Sequence, residues 1–142
     1  MKAKRNATLI MNLFGSDPLY MTPRDRQEVN RLENDTSHEP IVYYMRMDRL
    51  VKIGWSTNLR TRVETIGPQG VLAVEYGARA VERRRHKQFV NDHSHLEWFW
   101  LRDALAAHIV EARQNFEAAA GMTTEEWLDL HGVRSSAIGA ST

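Results

Sequence analysis

Between residues 41 and 99 the chain carries Tyr43, Lys52, Arg62, Glu82, His86 and Glu97, set among short apolar runs. A phenol, an ammonium, a guanidinium, two carboxylates and an imidazole gathered on one surface could hold a divalent cation and a phosphate together. That mixture suits metal-assisted attack on a phosphodiester better than it suits a plain core.

Spacing separates some of these residues from their neighbours. In NLRTRVETI, at about 100° per residue, Leu59, Val63 and Ile66 fall within about 60° and define a buried helical face. Arg62 lies about 40° beyond Ile66 on the edge of that face, and Arg60 points well away from it. Arg62 has two readings. Its stem can run over the core with its head in water, or its planar fork can be held where it clamps a phosphate.

In AVERRRHKQF the inner face is marked by Ala78, Val81 and Phe89, with Glu82 and His86 four residues apart on its flank. One carboxylate beside one imidazole is thin for zinc. It is adequate for magnesium, which keeps several waters and takes one or two carboxylates plus substrate phosphate. The same pair also reads as a surface hydrogen bond. Arg83, Arg84, Arg85 and Lys87 form either a solvated basic face or a set of phosphate contacts, but Arg85 is odd, because its wheel position falls inside the apolar arc. His93 and His95 share one side of a strand without a third spaced ligand. Glu97 opens an aromatic strand, where it could serve as a metal or supporting carboxylate. Trp98, Phe99 and Trp100 read as core and sheet cover rather than as a base-stacking surface.

Short elements must position these groups. Ile41–Met45 and Leu50–Ile53 around a turn at MDR read as a β-hairpin. Ser56 or Thr57 can cap the helix that Gly67-Pro68 ends. Val71–Tyr76 reads as a third strand, 79–91 as a basic helix, and Glu97–Leu101 as a short strand. Leu105, Ile109, Ala112 and Phe116 recur at helical spacing, predicting an amphipathic helix over 103–120. Thr123-Thr124-Glu125-Glu126 is a capping box for a last short helix ended by Gly132. A polar helix over 23–33, opened by Thr22-Pro23, and the linker NDTSHEP make residues 1–39 an arm, and the tail SSAIGAST reads as frayed.

Bulk properties bound the function. A chain of 142 residues with 42% apolar composition supports one ordinary domain with short extensions. The absence of cysteine excludes a disulfide scaffold and thiolate zinc sites and fits a reducing cytoplasm. No run approaches the ~18 apolar residues of a membrane span. The basic-then-apolar start is short, holds Asn12 and lacks a cleavage site, so export is not expected. The net charge of +1 is unevenly divided: residues 41–99 hold ten Lys/Arg against six Asp/Glu, and residues 100–142 hold three against six. The basic excess thus coincides with the chemically equipped segment, as contact with an anionic polymer requires.

Hairpin, arginine helix, strand and glutamate helix, in that order, resemble the GIY-YIG nuclease superfamily. The closer likeness is to its compact branch, typified by the orf-172-type domain of phage T5 and the meiotically up-regulated-type domain. The motifs stand here as Val42-Tyr43, Lys52-Ile53-Gly54-Trp55-Ser56, Asn58-Leu59 with Arg62, Glu82 with His86 and Phe89, and Glu97-Trp98-Phe99. They span about 60 of the 142 residues. Each is weak alone, and five in order are fairly specific.

The resemblance implies a small α/β (α+β) domain over 40–120, a three-stranded antiparallel sheet flanked by helices, with residues 121–142 as a C-terminal extension. It implies a DNA endonuclease of phage or mobile-element type acting in the cytoplasm, with magnesium or manganese as cofactor. Tyr43 would act as or assist the general base for water, Arg62 would stabilise phosphate charge, Glu82 would hold the cation, and His86 would orient water or relay a proton. Arg60, Arg83, Arg84 and Lys87 are the candidate DNA contacts. Two positions depart from the pattern. Lys52 stands where the second signature tyrosine would be, as in this branch generally, and Ile41 replaces the first glycine. A lysine can stabilise phosphate charge but is a poor base unless desolvation lowers its pKa. Two other functions fit the same fold: a catalytically weak DNA-binding or scaffolding module, and a virion or host-interaction protein using its terminal extensions as arms.

Overall fold

The computed structural model describes residues 35–134; the expected helix at 23–33 and the tail from residue 135 lie outside them. The elements are β1 (Ile41–Met47), β2 (Leu50–Ser56), α1 (Leu59–Ile66), β3 (Gly70–Tyr76), α2 (Arg79–Gln88), a 3-10 turn (Val90–Asp92), β4 (His93–His95), β5 (Trp98–Trp100), α3 (Asp103–Ala120) and α4 (Thr124–Leu130). Among the described residues no helix is long and apolar enough to cross a membrane.

The strands form one antiparallel sheet in the order β3-β1-β2-β5-β4. Five strands stand where the resemblance implies three. The additional pair is a short hairpin whose connection places Leu96 at φ 47. It seats β5 on the outer edge of β2, with Leu50 opposite Trp100, Val51 opposite Phe99 and Lys52 opposite Trp98. Backbone groups that β2 would otherwise leave open are thereby paired. Register is held by Phe99, which is buried, because a one-residue slip would drive a tryptophan into its place.

The unbroken apolar run at the start of β1 is explained by its central place. Alternate residues enter different cores on the two sheet faces. Ile41, Tyr43 and Met45 pack with Leu59 of α1, Val74, Phe116 of α3, and Trp127 and Leu128 of α4. Val42 and Tyr44 pack on the other face with Ile53, Ala73, Phe89, Phe99, Leu105 and Ile109. The 18-residue α3 supplies both cores, Leu105 and Ile109 to one and Phe116 to the other, and α4 is an integral part of the first.

Local signals set the boundaries. Asn58, rather than Ser56 or Thr57, caps α1: its Oδ1 accepts from the Thr61 N–H, while Ser56 Oγ accepts from the Asn58 N–H at 2.8 Å. Gly67, at φ 64, ends that helix in the left-handed region. Thr123 Oγ1 accepts from the Glu126 N–H at 3.1 Å, the cap half of the expected box, and donates to the Glu126 carboxylate at 3.2 Å.

Candidate active site

The site starts at one backbone position. Tyr43 lies opposite Gly54 in the β1–β2 register, and a Cβ built on Gly54 would stand 2.4 Å from the Tyr43 hydroxyl and 2.5 Å from Cζ. The phenol therefore lies flat across Gly54, a place that no other residue type leaves open. Gly54→Ala is expected to displace the ring and destabilise the fold by about 1–3 kcal/mol, the usual cost of overpacking. Denaturant unfolding measures it. The cost should shrink sharply when Tyr43→Ala is also present, since the two side chains compete for one space.

Alternation along β2 puts Lys52 on the same face as Gly54 and Tyr43. The Lys52 ammonium stands 3.7 Å from the Glu97 carboxylate and 5.7 Å from the centre of the Trp98 ring. β5 ends opposite Lys52, and the next stretch of β2 edge is finished by the suspect residues. The Ile53 N–H donates to the Glu97 carbonyl at 3.0 Å. The Ile53 carbonyl accepts from His86 Nε2 at 2.8 Å, and the Trp55 N–H is bonded to the Glu82 carboxylate. One gap in a strand edge thus fixes α2 and sets the positions of Glu82 and His86. A carbonyl only accepts, so Nε2 carries the His86 proton and Nδ1 is the nitrogen left to accept. The imidazole packs against Phe99 at a ring-centre distance of 5.0 Å.

The electrostatics join the same residues. Burial pushes the Tyr43 phenol up to about 12, with the charges of Glu97 and Glu82 adding to the rise and that of Arg62 opposing it. Burial also raises the Glu82 carboxyl, helped by the Glu97 charge and opposed by His86, the Trp55 N–H and Arg79. Arg62 is exposed and, among the described residues, pairs with no carboxylate, whereas Arg60 is held by Glu64 at 3.0 Å. Arg83, Arg84 and Lys87 are exposed on α2.

Other sequence signals resolve into local structure. His93 Nε2 bonds the Leu96 carbonyl at 2.7 Å, and His95 Nδ1 bonds Ser94 Oγ at 2.9 Å. Among the described residues no group of three or more His, Asp or Glu side chains could enclose a metal. The odd position of Arg85 marks a polar network on the opposite sheet face that periodicity alone did not disclose. Arg85 donates twice to Glu75, at 2.8 and 3.0 Å, Tyr44 Oη donates to Glu75 at 2.6 Å, and His108 Nε2 lies 2.9 Å from Tyr44 Oη. The Arg85 wheel angle was its one visible signal, since Glu75 and His108 are distant in sequence.

The T5orf172 domain matches residues 40–130, nearly two thirds of the chain and every element from β1 to α4. The chain belongs to the T5orf172 domain family. No curated protein and no solved structure matches it. The T5orf172 domain is GIY-YIG-like and nuclease-like, and the matched segment contains the hairpin, the arginine helix, the glutamate helix and the EWF strand. Burial and the Glu97 charge together raise the Glu82 carboxyl, and a carboxylate so disfavoured is chemically compatible with a hard divalent cation.

Proposed function

We propose that this chain is a metal-dependent DNA endonuclease that hydrolyses phosphodiester bonds by in-line attack of water. The observation that carries this reading is the electrostatic convergence of Arg62, Glu82 and Glu97 on the buried Tyr43 phenol. A guanidinium that pairs with no carboxylate among the described residues, and a Glu82 carboxyl raised by burial and by the Glu97 charge, are costly for a protein that only needs to stay folded. They are useful for holding a phosphate and a cation side by side.

In this reading Arg62 donates to non-bridging phosphate oxygens, and Lys52 adds positive charge along the same face. Tyr43, at about 12, is protonated at neutral pH. It therefore orients the attacking water by hydrogen bonding, and it can accept a proton only where the Glu82 and Glu97 charges are offset. His86, its Nε2–H given to Ile53, offers Nδ1 to a water. Water oxygen bonds to phosphorus, the bond from phosphorus to the leaving sugar oxygen breaks, and that oxygen takes up a proton. Magnesium or manganese, held by Glu82 with Glu97, would supply Lewis-acid stabilisation of the developing charge.

The test is nicking of supercoiled plasmid by the full chain with magnesium or manganese. EDTA is expected to abolish it, and Arg62→Ala to lower its rate by about 10²–10³-fold, the effect of removing one charge-stabilising donor. Retardation of DNA in a gel without nicking would instead establish the second reading, a DNA-binding or scaffolding module. The engagement of Lys52 with Glu97, where the signature pattern has a second tyrosine, is the observation that favours it.

A further inference from the structure

The half of the sheet face beside Tyr43 carries two indoles that belong to neither core. Trp98 and Trp100 face the same side as Lys52 and Leu50, the residues they pair with, and hence the same side as Gly54 and Tyr43. Their neighbour Phe99 points the other way and is 1% exposed, whereas Trp100 is 38% exposed. Neither tryptophan is a member of the two apolar clusters. Among the described residues the helices covering this face, α1, α4 and the Phe116 end of α3, pack over β1 and β3, so the β2–β5 ladder is uncovered there.

Cationic groups border these rings. Lys52 sits over Trp98, and the Arg102 guanidinium lies 5.8 Å from the centre of the Trp100 ring. At the end of the ladder opens a cleft of about 350 Å³ lined by Arg46, Asp48, Arg49, Trp100, Leu101 and Arg102. Three arginines against one aspartate leave it positive. Arg102 is shared with Asp92 at 3.4 Å and Arg46 with the Asp48 carbonyl at 3.1 Å, while Arg49 is exposed. Gly54 and Leu50 are four residues apart on β2, about 13 Å at ~3.3 Å per residue. That is room for two to four nucleotides, taking ~3.4 Å per step of a stacked strand as the lower spacing.

We propose that Lys52, Trp98 and Trp100, with the Arg49–Arg102 cleft at their end, form a track for unpaired nucleotides of a DNA strand leading toward the Tyr43–Glu82 site. The occupant follows from the two features together. Indole faces accept bases only when those bases are unstacked and unpaired, and the flanking arginines match the backbone phosphates. An acidic peptide would use the cations and leave the rings idle, and a duplex presents no base faces. The substrate class is therefore single-stranded DNA or DNA with a frayed or flapped strand. This inference rests on the nuclease reading only for the direction of the strand; binding is separate from turnover.

The experiment measures fluorescence anisotropy of a labelled oligodeoxythymidine on the full chain in EDTA, where turnover is excluded. A duplex and an abasic strand of equal length serve as companions. Trp100→Leu, which stays apolar and loses the ring, is expected to weaken single-strand binding about 5- to 150-fold. Trp100→Phe should restore most of it, and thermal unfolding should match wild type in both. Arg49→Ala should reduce the slope of log K against log salt by about 0.7. Three results would each overturn the proposal: unchanged affinity in Trp100→Leu, abasic or duplex DNA bound as tightly as the base-bearing strand, or polyglutamate competing as well as DNA. Absence of nicking with this binding intact would count against the nuclease reading alone.

Discussion

Glu82→Gln is expected to lower magnesium-dependent nicking by at least about 100-fold while leaving DNA retardation and the unfolding midpoint close to wild type. The substitution keeps shape and removes one charge. In the folded protein that charge is disfavoured, because burial and Glu97 both raise the Glu82 carboxyl. Neutralising it therefore costs the fold little, and it relieves Glu97 of a like charge. The amide oxygen is a poor ligand for a hard cation, so the loss falls on cation binding and on the transition-state charge that a cation stabilises, worth several kcal/mol. The same raised carboxyl predicts a pH dependence. As pH falls toward its titration, protons compete with the cation, so more magnesium should be needed at pH 5 than at pH 7 to reach half-maximal nicking. Single-turnover nicking across a magnesium series measures both effects. Full activity in Glu82→Gln would remove Glu82 from the proposed chemistry.

Much of the fold was legible because its signals are local. The hairpin, the Gly67 stop, the Thr123 box and the i, i+4 stripe of α3 each depend on residues within a few positions of one another. The wheel also separated Arg62 from Arg60, and the structure gives that difference a physical form, with Arg60 engaged by Glu64 and Arg62 paired with no carboxylate among the described residues. What was not legible depends on partners distant in sequence. Three-residue strands are too short to show alternation, so the short strand read at Glu97–Leu101 gave no sign that β5 would pair with β2 and carry β4 on its outer edge. The aromatic run Trp98–Trp100 read as core and sheet cover, yet only Phe99 is buried, because the pairing partner decides which face is covered.

Gly54 shows the same limit within the site. Its glycine is part of a motif, but the reason for it, a phenol lying across the backbone, appears only when register places Tyr43 opposite. Likewise Glu82 and His86 read as a flank pair on one helix. Their fixed positions come from a strand edge that needed a donor and an acceptor just where β5 stops.

The largest stability effect is expected at Glu75, on the face away from the site. Glu75→Ala should destabilise the protein by about 3 kcal/mol, the low end of the cost of breaking a buried ion pair from one side, because this pair is only partly buried. The change strands Arg85, whose side chain is 22% exposed, and removes the acceptor used by Tyr44. It would also loosen α2 and α3, which the network ties to β3 through Arg85 and His108. Burial opposes ionisation of Glu75, but hydrogen bonds from His108, Arg85 and Tyr44 override it and hold the carboxyl at about 2, below the ordinary 4.5. Between those values the unfolded chain binds a proton that the folded chain does not. The stabilisation is therefore complete above pH 4.5 and lost as pH falls through 2, about 3 kcal/mol over the whole window. Urea unfolding at intervals from neutral pH down to pH 2 measures it. In Glu75→Gln the acid slope should lose one proton's worth of dependence and the stability at neutral pH should fall. An unchanged slope would mean that Glu75 titrates alike in the folded and unfolded chains. The network would then be held by shape and hydrogen bonding, without the ionised carboxylate at its centre.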